Sequence, residues 1–267
     1  MNTAYIESET PVEMQPEFAM PLSRLVRAYV IEAKYESLRM LRAPAFAGPF
    51  LALPVLLYLL FGVLLFGDAI QKDPRGAVFM FMGFSILGAM GPGMFGFGIT
   101  IAMEREQGLL LLKRALPAPM AASLIAKMLM SVLFVAIVMI TMVIASPLGH
   151  LKLSMGQILI FSAVMVLGSA PFCAIGLFVG TWATGKSAPA FVNLLYLPMI
   201  YLSGFLIPLP KSMQWIEIAS PAFHLDQLAL AAIGAPGQGM VVVHFGFLAV
   251  VTLLLTALAV RRLSRIG

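Results

Sequence analysis

The stretch of this sequence most suggestive of chemistry is GTWATGKS, Gly180 to Ser187, in which two glycines enclose four residues and Lys186 and Ser187 follow. That spacing lets backbone amides cradle nucleotide phosphates, with the lysine on the phosphates and the hydroxyl on Mg²⁺. A working phosphate loop also needs a strand before it, a helix after it and an acidic metal partner. Here the motif lies between two apolar runs, Pro189 follows at once, and no apolar strand ending in a metal-binding Asp occurs elsewhere. The match is read as coincidence, and the chain is expected not to hydrolyse ATP.

Other reactive residue types do not gather. Cys173 is the single cysteine, sits in an apolar run, and reads as a packed core thiol. The 19 methionines would suit a soft metal ion, but they are scattered and act as flexible core filler. His150, His224 and His244 fall in separate segments. An intramembrane enzyme would need paired Asp, Ser with His, or metal ligands at one depth, and no such set is present. No metal site and no catalytic residue are expected.

What must be positioned is therefore a set of helices. Of 267 residues, 61% are hydrophobic and 11% charged, and the mean hydropathy is +0.98. A soluble domain is roughly a quarter charged, so a water-soluble fold is excluded. Crossing a hydrocarbon core takes about 20 apolar residues as a helix. Six runs qualify: Phe46 to Gly67, Gly76 to Met103, Met128 to Pro147, Leu153 to Thr184, Ser187 to Leu209 and Met240 to Val260. None contains Asp, Glu, Lys or Arg. The expected fold is an all-α membrane protein of six transmembrane helices, occupying residues 45–267.

Ahead of the spans, residues 1–21 carry Glu7, Glu9, Glu13 and Glu17 and little to bury. They read as a disordered cytoplasmic tail, and their acidity is opposite to the positive start of a secretory signal. Residues 22–44 place Leu22, Leu25, Val26, Tyr29, Val30, Ala33 and Leu41 at helical spacing, with Arg24, Arg27, Lys34, Arg39 and Arg42 on a polar side. This pattern predicts an amphipathic helix at the membrane interface, in contact with lipid.

The net charge of +5 follows the topology rather than nucleic-acid binding. With the N-terminus inside, the five basic residues just named are joined by Arg105, Lys113, Arg114, Lys127, Lys186, Arg261, Arg262 and Arg265, making thirteen. Only Lys72, Arg75, Lys152 and Lys211 fall outside. The positive-inside rule then puts both termini in the cytoplasm of a multi-pass protein of a bacterial inner membrane.

Two segments between spans are long enough to carry work. EREQGLLLLKRALPAP, Glu104 to Pro119, reads as a short amphipathic element under the membrane whose leucines fill a groove on a cytoplasmic partner. The external stretch from Ser203 to Leu228 mixes apolar residues with Pro208, Pro210 and Pro221 and carries Trp215, which fits a partly re-entrant cap on the outer end.

At these two places the chain resembles the permease subunits of ABC type-2 transporters. The first likeness rests on Glu104, Arg105, Glu106, Gly108, Leu109, Leu116 and Pro117. The second rests on Ser203, Gly204, Pro208, Pro210, Trp215, Ser220 and Pro221. Leu110 stands where the family often has a further Glu. The resemblance implies a subunit that couples ATP hydrolysis by a separate cytoplasmic ATPase to export through a coupling helix in the Glu104 to Pro119 element, with the seven residues of the first likeness making the coupling. It also implies a second permease subunit, identical or not, and ATP with Mg²⁺ on the ATPase and no cofactor on this chain.

Two alternatives remain at this stage. Gly83, Gly88, Gly91, Gly93, Gly96 and Gly98 around Pro92, with Gly176 and Gly180, form either a dimer seam or a broken substrate-lining helix, or they pack helices within one subunit. An ion-coupled secondary transporter or channel is the competing function, but it ordinarily needs ionisable groups inside the spans.

Overall fold

The computed structural model describes residues 21–72, 74–115, 119–204 and 214–266. Residues 1–20 of the expected tail, together with Leu116, Pro117, Pro208 and Pro210, lie outside this set. Among the described residues every regular element is helical.

The chain opens with α1 (Leu22–Leu41) and enters the bundle at α2 (Pro44–Leu57), which continues as a π-helical segment over Tyr58–Leu65. After the short α3 (Gly67–Lys72), α4 (Pro74–Gly91), a second π segment (Pro92–Phe97) and α5 (Gly98–Glu106) form one continuous rod. There follow α6 (Leu109–Ala115), α7 (Met120–Ala145), α8 (Met155–Leu167), α9 (Ala170–Trp182) and α10 (Ala188–Leu202). The outer segment holds α11 (Gln214–Glu217) and α12 (Pro221–Ala232), and α13 (Val241–Ile266) closes the chain.

Local chemistry explains these boundaries. Pro44 and Pro221 occupy first helical positions, where a missing N–H costs nothing. Ser154 and Gln157 form a reciprocal capping box that starts α8. The π segments follow prolines, Pro54 in α2 and Pro92 in the central rod, whose rings cannot donate into the α-helical ladder.

Among the described residues, five helices are long and apolar enough to cross a membrane: Pro44–Leu65, Arg75–Glu106, Ala121–Gly149, Met155–Trp182 and Val241–Arg265. The apolar α10 has 15 residues, which at 1.5 Å each is shorter than a hydrocarbon core of about 30 Å. The expected fifth span, Ser187 to Leu209, runs on into residues outside the described set. The rod Arg75–Glu106 forms the centre, with 72% of its most apolar window buried against 17% for Pro44–Leu65 and 11% for Val241–Arg265. The two outer helices leave their apolar faces for lipid.

The glycine stripe packs inside the chain. A Cβ built on Gly176 would stand 2.5 Å from the Gly93 carbonyl oxygen, one on Gly180 2.5 Å from that of Gly98, and one on Gly98 2.8 Å from that of Gly176. The α9 backbone therefore lies directly on the rod, at a separation only glycine permits. These faces are consumed by intrachain packing, which decides between the two readings of the stripe.

One expectation is corrected. The third span does not begin at Met128: α7 starts at Met120 and draws Lys127 fully into the interior. The residues of α1 buried against the bundle are Glu36 and Met40, while Leu22, Val26 and Val30 stay uncovered by protein. The physical reason for the longer α7 is that Lys127 is neutralised by Glu36.

Candidate functional site

At the end of the bundle where α1, α5, α6 and α7 meet, three carboxylates and three cations interlock. Lys127 Nζ lies 2.6 Å from Glu36 Oε1 and 2.8 Å from Glu104 Oε1. Arg39 bridges the same two carboxylates, at 2.7 Å to Glu36 and 3.3 Å to Glu104. Lys113, on α6, sits 3.0 Å from Glu32 of α1 and 3.5 Å from Glu104 Oε2, and donates to Ser123 Oγ at 2.7 Å. Glu32, Glu36 and Glu104 thus balance Arg39, Lys113 and Lys127. Charges buried in this way are tolerated only when paired.

Successive helical residues point about 100° apart, so Glu104, Arg105 and Glu106 leave the rod in three directions. Glu104 is buried and turns into the ion cluster. Arg105 reaches the frayed end of α9, where it donates to the carbonyls of Thr181 and, at 2.5 Å, Ala183. Arg262 of α13 joins it at Thr181 O, 3.1 Å away, with its guanidinium 3.3 Å from the centre of the Trp182 ring. Glu106 Oε2 accepts the Gly185 amide at 2.7 Å.

That last contact bears on the phosphate-loop match. A helix rather than a strand precedes the loop, Thr184 and Ser187 cap each other through side chain and backbone, and the amide of Gly185 already holds a carboxylate of the same chain. The loop is a hinge tied to the rod.

Beyond Glu106 the chain turns at Gly108, whose φ of +70° is a left-handed conformation that suits glycine. The turn sends α6 back under the bundle. Leu110 is buried in a cluster with Phe97, Ile101, Leu177 and Leu263, while Leu111 and Leu112 stand 59% and 64% exposed. A glutamate at position 110 would bury its charge in that cluster, which gives Leu110 a packing reason. Leu109 is half-buried.

The opposite end carries the second motif. Gly204 bends the chain with φ of +74°, Ser203 and Ser220 are buried and bond back to the carbonyls of Ile200 and Met199, and Pro221 starts α12. Trp215 is exposed on α11. Burial raises the Glu217 carboxyl above its ordinary value. Burial, with Glu217 adding repulsion, pushes Asp226 from 3.8 up to about 7. His224 and His244, unrelated in sequence, meet here with Nδ1 atoms 2.8 Å apart.

A family model described as "ABC-2 type transporter" matches residues 27–233, well over half of the chain. The chain belongs to the ABC-2 type transporter family. Its long apolar helices make it a multi-pass membrane protein. It is similar to YvfS of Bacillus subtilis (strain 168), which is named as a transport permease, with 26% identity over 147 residues. That match covers 54% of this chain, and the chain spans 60% of the relative's length.

Within this ABC-2 family chain the family-like residues divide by task. Glu104, Arg105 and Glu106 lock the rod to α1, α7 and the α9–α10 hinge, and Gly108 makes the turn. The middle of α6 offers an apolar surface at Leu111 and Leu112. Lys127, Glu36, Arg39 and the histidine pair were not singled out from sequence as site residues, since each becomes meaningful only beside a partner far away in the chain.

Proposed function

We propose that this chain is the membrane-spanning subunit of an ATP-binding-cassette exporter, driven by an ATPase on a separate cytoplasmic chain that carries ATP and Mg²⁺. In this reading the apolar run Ser187 to Leu209, of which α10 is part, is a sixth span, both termini lie in the cytoplasm of a bacterial inner membrane, and α1 rests on the lipid surface. The ATPase seats α6 in a groove, and a second permease subunit completes the pathway.

The observation that carries this reading is the contrast within α6. Leu111 and Leu112 face away from the bundle, while Leu110 anchors the helix to the core and Lys113 ties it to α1 and the rod. A push on the exposed leucines is delivered to α1, α5 and α7 together, because the paired charges do not stretch independently. The contact surface is thus the leucines, with Glu104 acting from behind as a positioning residue. Ion coupling is disfavoured because the two buried charged side chains of the described spanning helices, Glu104 and Lys127, already satisfy one another.

The test is purification of the tagged full chain from its native membranes in mild detergent. Vanadate-sensitive ATP hydrolysis should co-purify, and a Leu111→Ser/Leu112→Ser variant of unchanged melting temperature should lose it. Absence of that activity, or its full retention by the variant, overturns the proposal.

A further inference from the structure

His224 of α12 and His244 of α13 are both buried, at 2% and 5% exposure. Each uses both of its ring nitrogens. His224 Nε2 is 2.9 Å from the Ile218 carbonyl oxygen and His244 Nε2 is 2.5 Å from that of Gln238, while the two Nδ1 atoms face each other at 2.8 Å. The rings are enclosed by Phe223 and by Phe247, which stacks on His224 with centroids 3.9 Å apart.

Counting protons shows what these contacts need. A carbonyl oxygen only accepts, so each Nε2 must carry a hydrogen. A neutral imidazole has one N–H, and that hydrogen is then spent, leaving two Nδ1 lone pairs pointed at each other across 2.8 Å. Moving a hydrogen to Nδ1 in either ring merely transfers the mismatch to a carbonyl. Three contacts require three protons, and two neutral rings hold two. Adding one proton satisfies all three at once, and a second would set two imidazolium ions face to face in an apolar enclosure.

We propose that His224 and His244 form a binding site for a single proton, held between their Nδ1 atoms and clasping α12 and its flanking loops to α13. The claim concerns the pair itself and stands independently of the exporter reading.

Among the described residues, the surroundings supply no competing ligand. Asp226 follows His224 by two residues, and residues so spaced do not share a helix face. Glu217 lies on α11 beside Asp226. Of the helices packed against the pair, α8 has no titratable residue, α10 brings Tyr196 and Tyr201, α4 carries Arg75 in its first turn, α9 contributes Cys173, and α13 has no other charged side chain before Arg261. Burial lowers the proton affinity of His224.

The experiment is ¹⁵N NMR of the full chain, labelled at histidine and held in lipid nanodiscs, titrated from pH 8 to 4.5. Both Nε2 atoms should remain protonated throughout, the pair should take up one proton, and a coupling across the Nδ1–H···Nδ1 bond should appear as it does so. Exposed His150 serves as the independent reference. A His244→Gln variant should lose both the coupling and the shared step. Two independent one-proton titrations, an Nδ1–H tautomer at pH 8, no coupling at any pH, or survival of the step in the variant would each overturn the assignment.

Discussion

Lys127 and Glu104, 2.8 Å apart and buried, join α7 to the central rod at the point where the rod turns into α6. The relationship is three-cornered, since Glu36 of α1 shares the same ammonium. A helix that would otherwise lie loosely on the bundle is thereby fastened by charge. The apolar surface of α6 and the strap of α1 become parts of one body, so the ion cluster sets the stiffness of any signal passing through α6.

Removing the shared cation should be more damaging than removing the whole pair. Lys127→Met leaves Glu36 and Glu104 short of a counter-charge in the interior, and breaking a buried pair in this way typically costs about 3–5 kcal/mol. The double variant Lys127→Met/Glu104→Gln should recover part of that loss, because the stranded charge is gone. Thermal unfolding of the four members of this cycle in detergent measures the difference. Equal melting temperatures for the single Lys127 variant and the wild type would refute the role given to the cluster.

Arg105 makes a different prediction. It donates to two carbonyls at the end of α9, and hydrogen bonds involving a charged group contribute about 1.5–3 kcal/mol. Arg105→Gln should therefore free the 183–187 hinge without unfolding the bundle, seen as faster amide exchange at those residues while α7 stays protected. Arg105→Lys should behave nearly as badly, since an ammonium lacks the planar fork that serves two acceptors. Unchanged exchange at 183–187 would count against the tether.

At the glycine seam, Gly176→Ala would place a methyl 2.5 Å from the Gly93 oxygen and 2.8 Å from that of Met94, both backbone atoms that cannot rotate away. Overpacking ordinarily costs about 1–3 kcal/mol, and a contact with fixed backbone belongs at the upper end. Gly48, where an added methyl would meet nothing within 4 Å, is the control. Gly48→Ala should leave stability within about 0.5 kcal/mol. Comparison of the two melting temperatures checks both halves.

The helices were legible because crossing lipid demands long apolar runs, and run length is a local property of sequence. What was illegible depends on partners. Lys127 borders an apolar run and so looks like a topology signal, although a buried lysine with two carboxylates has the same flanking sequence. Glu104, Arg105 and Glu106 are adjacent in the chain yet serve three directions, which only the helical turn reveals. The Gly176/Gly180 pair announces close packing without saying against what. His224 and His244 stand 20 residues apart on two helices of a hairpin, a spacing that carries no local mark. The turn at Gly108, by contrast, was readable as part of a motif, and its φ supplies the reason.

The outer segment should respond to pH through Asp226. Its carboxyl is raised from 3.8 to about 7 by burial, with Glu217 adding repulsion. A folded-state value above the unfolded one means the native protein holds the proton more tightly. The resulting stability is fully present below about pH 4 and is lost as pH climbs through about 7. Amide exchange over α11 and α12 should consequently be slower at pH 5.5 than at pH 8, after correction for the intrinsic rate. Asp226→Asn keeps the neutral form at every pH, so it should flatten that dependence and protect the segment at pH 8. Glu217→Gln should lower the midpoint without abolishing it, because burial rather than repulsion is the larger cause. A dependence that persists undiminished in Asp226→Asn would assign the titration to another group.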